Sequence, residues 1–207
     1  MGAKFVKAEV REVKIDRGGY TINGWLKAEK VTSTLPLREA PQIFGLSEEA
    51  HKVAERLDYN SVVVIGLGLK RSAPDQHWVY VPDKRIVSHR YAWISNYGED
   101  TPPNKASLIA EVTVSPNQRI DIDKLIDETI QDLIELGVIR NSNEIEVTKA
   151  WYHKYGYPIY TLTHKEDANT ITQESTEMGI ITFGRWGNWE YWNTDKIFEK
   201  ALEIKLI

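Results

Sequence analysis

Hydrophobic positions along the chain change period several times, and the changes mark out its elements. Lys4 to Ile15 alternates partly with period two, through Phe5, Val10, Val13 and Ile15, and ends at Asp16-Arg17-Gly18-Gly19, a turn sequence. Tyr20-Thr21-Ile22 and Trp25-Leu26 flank Asn23-Gly24, the pair that best tolerates the positive φ angles of a tight hairpin, so the chain opens with strand and hairpin. Val31-Thr32-Ser33-Thr34 reads as a further strand, halted at Leu35-Pro36-Leu37. Ser47 is placed to cap a helix over Glu48 to Leu57 with acidic residues in its first turn. The apolar run Val62 to Leu69 then reads as a buried strand. Trp78 to Pro82 and Arg85 to His89 read as a strand pair around Asp83-Lys84, and Ala106 to Val114 as a strand after a Pro102-Pro103 loop.

Ile120 to Gly137 carries the clearest helical period: Leu125, Ile126, Ile130, Leu133 and Ile134 form one stripe, with Asp121 and Asp123 at the start and Gly137 as the stop. Ile145 to His153 reads as a strand, and Tyr155 to Tyr160 as an extended segment held by Pro158. Lys165 to Glu177 is polar without a sustained apolar face, which fits a mobile helix or a loop. At the C-terminal end, Gly179-Ile180-Ile181-Thr182-Phe183 is a short buried-strand run, broken by Gly184-Arg185-Trp186-Gly187. Asn193 or Thr194 then caps a helix with Ile197, Phe198, Ala201 and Leu202 on one face. The sum is an α+β fold: a mixed, largely antiparallel sheet with two or three flanking helices.

Composition narrows the setting. The 207 residues are 42% hydrophobic and 27% charged, ordinary for a globular chain. No run of eighteen apolar residues and no signal-peptide pattern occurs, which predicts a cytoplasmic protein without a membrane span. A net charge of −4 with no long basic run argues against nucleic acid as a partner. The absence of cysteine excludes disulfides and thiolate chemistry. Seven tryptophans are a heavy load, and Trp186, Trp189 and Trp192 share one loop, which predicts that a ligand or partner surface covers them.

Several stretches carry candidate chemistry, each beside a plainer reading. Gly66-x-Gly68 follows a strand, but no third glycine or helix follows, so close packing against the strand explains the glycines better than phosphate binding. Asp121-x-Asp123 lacks any set of further oxygen ligands, and the five histidines show no ligand spacing, so no metal is expected and no catalytic base stands out. Arg90 has the planar fork to grip a carboxylate or phosphate, or equally to pair with Glu111. Tyr157 and Tyr160 are either ligand-facing aromatics or core aromatics around a proline turn. The strand, glycine loop and helix from Gly179 onward aim a helix amino terminus at whatever lies above the sheet edge, although any such connection also needs a turn and a cap.

Taken in order, these residues resemble a known family. Gly184-Arg185, an aromatic loop with Tyr191, and Asn193-Thr194-Asp195 ahead of a final helix are similar to the flavin-contacting C-terminal segment of the superfamily of FAD-dependent amine oxidases, protoporphyrinogen oxidases and UDP-galactopyranose mutases. Thr194 stands where methionine is usual. The opening hairpin with Ser33-Thr34-Leu35-Pro36 resembles that superfamily's exit from the FAD domain. His89-Arg90, Ser95-Asn96, the proline loop, Glu111 and Tyr157-Pro158-Ile159-Tyr160 resemble its substrate domain.

The resemblance runs along nearly the whole chain but covers only the C-terminal half of a typical member. It implies FAD-domain-like elements at residues 1–37 and 178–207, around a substrate-binding domain at 38–177, with no complete Rossmann unit. It further implies that Gly184, Arg185, Tyr191, Asn193, Thr194 and Asp195 face the flavin, and that Arg90, Asn96, Tyr157 and Tyr160 face the substrate; no catalytic residue is named. FAD is expected to bind only together with a separate N-terminal FAD-binding polypeptide, since the glycine fingerprint that holds the pyrophosphate lies in the missing half. The alternative is a non-catalytic domain that keeps the fold without flavin and binds a partner protein or carbohydrate through its aromatic cluster. Unpaired sheet edges also predict a homodimer through strand pairing.

Overall fold

The computed structural model describes residues 2–98 and 101–204, so the first residue and the last three of the expected terminal segments lie outside it. In chain order the elements are β1 (Val13–Asp16), β2 (Gly19–Ile22), β3 (Leu26–Ala28), β4 (Val31–Ser33), α1 (Ala40–Phe44), α2 (Glu48–Arg56), β5 (Tyr59–Leu69), β6 (Trp78–Tyr80), β7 (Arg90–Trp93) and β8 (Ala106–Val114). They continue with α3 (Ile122–Glu135), β9 (Ile145–Pro158), α4 (His164–Glu177), β10 (Ile180–Thr182), α5 (Gly184–Gly187) and α6 (Thr194–Glu203). The α+β class with antiparallel sheets is the one expected. The chain forms two compact units, residues 1–58 with 158–207, and residues 59–157. Residues 38–58 and 158–177 thus belong with the two terminal segments rather than with the central one.

In the first unit, β1, β2 and β3 form an antiparallel meander, with Val13 opposite Ile22 and Ile22 opposite Leu26. The second turn holds Asn23 at φ 51° and Gly24 at φ 76°, the left-handed pair that the hairpin requires. Asn23 has a further task. Its Oδ1 accepts the Arg11 and Glu12 amides at 2.8 and 3.2 Å, and its Nδ2 donates to the Glu9 carbonyl at 2.7 Å. These bonds hold residues 9–12 on a side chain instead of a ladder, so the first strand is confined to Val13–Asp16 and does not reach back to Lys4.

β4 and β10 pair in parallel, Val31 with Ile180 and Ser33 with Thr182. α2 starts as expected: the Ser47 hydroxyl accepts the Ala50 amide at 3.1 Å. The same hydroxyl donates to Glu174 of α4 at 2.6 Å. Lys165 to Glu177 is neither a loop nor short of a buried face. α4 buries His164, Asp167, Ala168, Ile171 and Ser175, and the polar members bring their own partners. Ser175 donates to the Ile171 carbonyl at 2.8 Å, while Asp167 accepts from Thr163 at 2.7 Å and from the Arg56 Nε at 3.1 Å.

The second unit is a sheet in the order β6-β7-β8-β5-β9 with α3 against one face. β5 and β8 pair over nine residues, from Ser61 opposite Val114 to Leu69 opposite Ala106. Their inward residues, Val63, Ile65, Leu67, Leu108 and Ala110, pack with Leu133 of α3, and each is no more than 2% exposed. Burying a side chain of this size contributes roughly 1.5–3 kcal/mol, so the α3 stripe and this face stabilise one another. Asp121 caps α3 by accepting the Lys124 amide at 3.1 Å, and Gly137 ends it at φ 69°. Gly66 and Gly68 serve packing: a Cβ would lie 2.9 Å from the Trp151 ring at the first and 2.6 Å from a Val147 methyl at the second.

Arg85 to His89 is a turn instead of a strand. Asp83 accepts the amides of Arg85 and Ile86, through its carboxylate at 2.9 Å and its carbonyl at 3.1 Å, and the Val87 amide donates to Asp132 of α3 at 2.7 Å. The strand opposite β6 therefore begins at Arg90, and places Tyr80 across from Arg90 and Trp78 across from Ala92.

One buried charge in the first unit yields a pH prediction. Burial pushes the Asp167 carboxyl up, but the hydrogen bonds from Arg56 and Thr163 and the charges of Arg56 and His164 outweigh it, and it sits below the ordinary carboxylate value. Its contribution is fully present above the unfolded value of about 3.9 and is lost as pH falls through the lower folded value. Asp167→Asn is expected to lower stability at neutral pH and to flatten the loss of stability below about pH 4; parallel acid profiles of denaturant midpoints for the two proteins check this.

Candidate functional site

In the first unit, the end of β10 sets the geometry. Phe183 donates its amide to the Ser33 carbonyl at 2.8 Å, carrying the parallel pairing one residue further, and Gly184 then turns the chain at φ 85°. A Cβ at Gly184 would meet nothing within 4 Å, although the residue itself is buried. Three residues on, a Cβ at Gly187 would lie 2.8 Å from the Ser33 carbonyl, which seats the single turn of α5 on the end of β4.

Arg185 donates its Nε and an Nη to the Trp192 carbonyl at 3.0 and 2.9 Å, and its guanidinium lies 4.5 Å from the Tyr191 ring centroid. Tyr160 meets the same loop, donating to Glu190 at 2.9 Å and accepting the Tyr191 amide at 2.6 Å. Burial holds the Tyr160 hydroxyl above its ordinary pKa. Behind it, His164 stacks on the Tyr160 ring at 4.2 Å and faces the Trp189 carbonyl at 3.2 Å through Nε2. Gly184, Arg185, Tyr191 and Tyr160 are therefore held as one cluster.

α6 begins at Asn193 with no side-chain hydrogen bond into its first turn, and Asn193, Thr194 and Asp195 are all exposed. The Ile197 amide is the one returned to Asn193, at 3.0 Å. No residue of α6 is buried, and Phe198 and Leu202 are 69% and 89% exposed. Its apolar face, expected from the spacing, lies open to solvent. The tryptophan loop behaves in the opposite way. Trp189 is fully buried, Trp186 packs edge-on against it at 5.2 Å, and Trp192 packs edge-on against Phe183 at 6.1 Å. The loop is its own small core, so the expectation that a ligand or partner covers it is corrected.

In the second unit, Arg90 lies on the sheet face opposite α3. It donates to Glu111 at 2.7 Å and to the Tyr157 hydroxyl at 2.6 Å, and Tyr157 donates to Glu111 at 2.5 Å. The guanidinium lies 4.3 Å from the Trp78 ring centroid. Burial would weaken its hold on the proton, but the Glu111 hydrogen bond and charge raise its pKa above the ordinary arginine value. Of the two roles open for Arg90, the ion pair with Glu111 is the one formed. His89 stands beside this group, edge-on to Tyr157 at 6.1 Å, and its pKa is lowered by burial and then by Arg90, which keeps it neutral at pH 7. Asn96 stands apart from the cluster: its amide donates to the Pro74 and Gln76 carbonyls, both at 2.7 Å, and pins that loop.

Trp78 and Tyr80 are not legible as neighbours of Arg90 in the sequence, because the β6–β7 register is what brings them there. β7 begins at Arg90, five residues after the strand expected from Arg85. No helix among the described residues is long and apolar enough to cross a membrane.

No protein-family model matches the sequence. The fold, in contrast, is shared widely. Over 94% of its length the chain superposes on reduced UDP-galactopyranose mutase with a TM-score of 0.83 and 22% identity, covering 44% of that protein. It is likewise similar to a protein described as a protoporphyrinogen oxidase from Exiguobacterium sp. 255-15, with a TM-score of 0.67, 16% identity and coverage of 94% and 46% of the two chains. For a CLA-producing fatty acid isomerase from P. acnes the values are 0.64, 12%, 94% and 46%. The chain thus has the fold that the resemblance implied, and spans less than half the length of each of these proteins.

The Arg90–Glu111 pair is nearly dry, with side chains 13% and 12% exposed. Removing one partner leaves an uncompensated charge, so Glu111→Ala is expected to destabilise the protein by about 3 kcal/mol, whereas Arg90→Met with Glu111→Leu recovers most of that loss. Urea unfolding of the three proteins measures both values.

Proposed function

We propose that this chain is the substrate-binding and flavin-facing part of an FAD-dependent oxidoreductase, acting together with a nucleotide-binding part that these 207 residues do not contain. The supporting observation is the superposition itself, which takes in nearly all of this chain but less than half of the reduced mutase. In this reading the first unit faces the flavin and the second faces the substrate, with Arg90, Tyr157 and Asn96 as its substrate-side residues and Tyr160 at the flavin-side loop.

The residues present fit a flavin. Gly184 leaves space beside its Cα, and the first turn of α6 is an exposed positive helix end without an internal side-chain cap at Thr194 and Asp195. Arg185 and Tyr191 act on that end indirectly: by gripping the Trp192 carbonyl, Arg185 fixes the residue just before Asn193. FAD, when bound, supplies the hydride or electron transfer, and the protein supplies position and polarity. On the second unit, the Tyr157 hydroxyl and the Arg90–Glu111 pair lie between aromatic rings, a surface suited to a planar substrate. The pyrophosphate-binding fingerprint is expected on the partner. Which of amine oxidation, porphyrinogen oxidation or sugar-ring isomerisation takes place is set by substrate contacts and not by the fold.

A second reading rests on a specific observation: Trp78, Tyr80 and Trp151 are 47%, 66% and 41% exposed. Such a surface suits a binding domain without flavin that takes up a carbohydrate or a partner protein. Titration with FAD separates the two readings. Quenching of flavin fluorescence is expected only when the chain is mixed with a polypeptide that carries Gly-x-Gly-x-x-Gly after a strand, and Gly184→Val is expected to weaken it at least tenfold. No quenching in the mixture contradicts the flavoenzyme reading and leaves the binding domain.

A further inference from the structure

β9 is the longest edge in the molecule. It has fourteen residues and lies at the end of its sheet, with β5 on one side. Residues 146–149 and 151–154 are exposed, including apolar surface at Val147 (60%), Trp151 (41%) and Tyr152 (47%). One row of backbone amides and carbonyls along such a strand points away from the sheet, and a long edge with apolar side chains is a template for another strand. Proline enters only at Pro158, the last residue, and the bulk of the strand carries no such block.

The charges on β9 choose the occupant. Edge lysines ordinarily discourage pairing between copies, because like charges meet. Here the order is Glu146, Lys149, His153, Lys154. In an antiparallel pairing of two copies centred on Ala150, Glu146, which also pairs with Lys105 of its own chain, lies opposite Lys154 of the second copy, twice over. Lys149 then lies opposite Trp151, a contact the chain already makes within itself at 5.2 Å. Thr148 meets Tyr152, Val147 meets His153, and no two like charges are directly opposed. Moving the centre by one residue to Lys149 sets two ammonium groups face to face. The faces agree as well: the close approaches of Val147 to Gly68 and Trp151 to Gly66 place both on the face opposite α3, and antiparallel partners share a face. From these features we infer that β9 is a self-recognition edge, joining two copies about a two-fold axis at Ala150 into one continuous sheet of ten strands.

The chain contains no cysteine, so a single introduced thiol reports the register directly. Opposed residues in an antiparallel pair have Cα atoms about 4.5–5.5 Å apart, within disulfide reach. The wild-type chain is expected to run as a dimer in light scattering at micromolar concentration. Under mild oxidation Ala150→Cys is expected to give a covalent dimer on a non-reducing gel. Thr148→Cys is not, because its own copy lies four residues away along the strand, about 13 Å. Lys154→Glu is expected to weaken the dimer at least tenfold, and Glu146→Lys with Lys154→Glu to restore it. A monodisperse wild-type monomer overturns the proposal, as does a dimer in which Thr148→Cys cross-links and Ala150→Cys does not. Far-ultraviolet circular dichroism of each variant identifies any that fails to fold, and the unmodified chain's mass still decides the matter in that case.

Discussion

The first unit depends on one weak element, the parallel pairing of β4 with β10. Each strand is three residues long, and they lie far apart in sequence. Parallel pairs bond less favourably than antiparallel ones and are ordinarily covered on both faces. Here Ile180 and Thr182 are buried, while Ile181 between them is 39% exposed. That pairing nevertheless fixes everything downstream: Ser33 receives the Phe183 amide, Gly184 turns, α5 seats on β4, and Arg185 secures the approach to α6. The Gly184 turn, α5 and the approach to α6 thus rest on two strands of three residues each.

The second unit is built on a different constraint, the two-sidedness of its sheet. One face is closed by α3 and is ordinary aliphatic core. The other carries Arg90, Glu111 and Tyr157 in one hydrogen-bonded group among tryptophan and tyrosine rings. Burying an ion pair is a poor route to stability compared with apolar packing. On this face Tyr157 holds the guanidinium in a fixed orientation.

Much of this was legible in the chain. Asn23-Gly24, Ser47, Asp121 and Gly137 each act through local backbone chemistry, and each does in the structure what its neighbours in sequence imply. The glycines at 66 and 68 were likewise correctly separated from a phosphate loop. What stayed hidden depends on distant partners. α4 reads as polar because its buried face uses Asp167, His164 and Ser175, whose partners include Arg56 on another helix and the Trp189 carbonyl in another loop. The tryptophan loop reads as an exposed patch because its mutual packing cannot be seen in one dimension. The Arg90–Glu111 pair was open to the sequence, but the β6 aromatics around Arg90 were not, because Asp83 and Asp132 capture the amides of Arg85 and Val87 and so delay the strand. The Gly184-to-Asp195 order was readable, and its support by Tyr160 and His164 was not.

Amide hydrogen exchange across the start of α6 tests the central claim most directly. With FAD and a fingerprint-bearing polypeptide added together, the amides of Thr194, Asp195 and Lys196 are predicted to slow by at least tenfold, together with that of Ile181, while those of β5 stay unchanged. Equal exchange at these four positions with and without the additions contradicts the account.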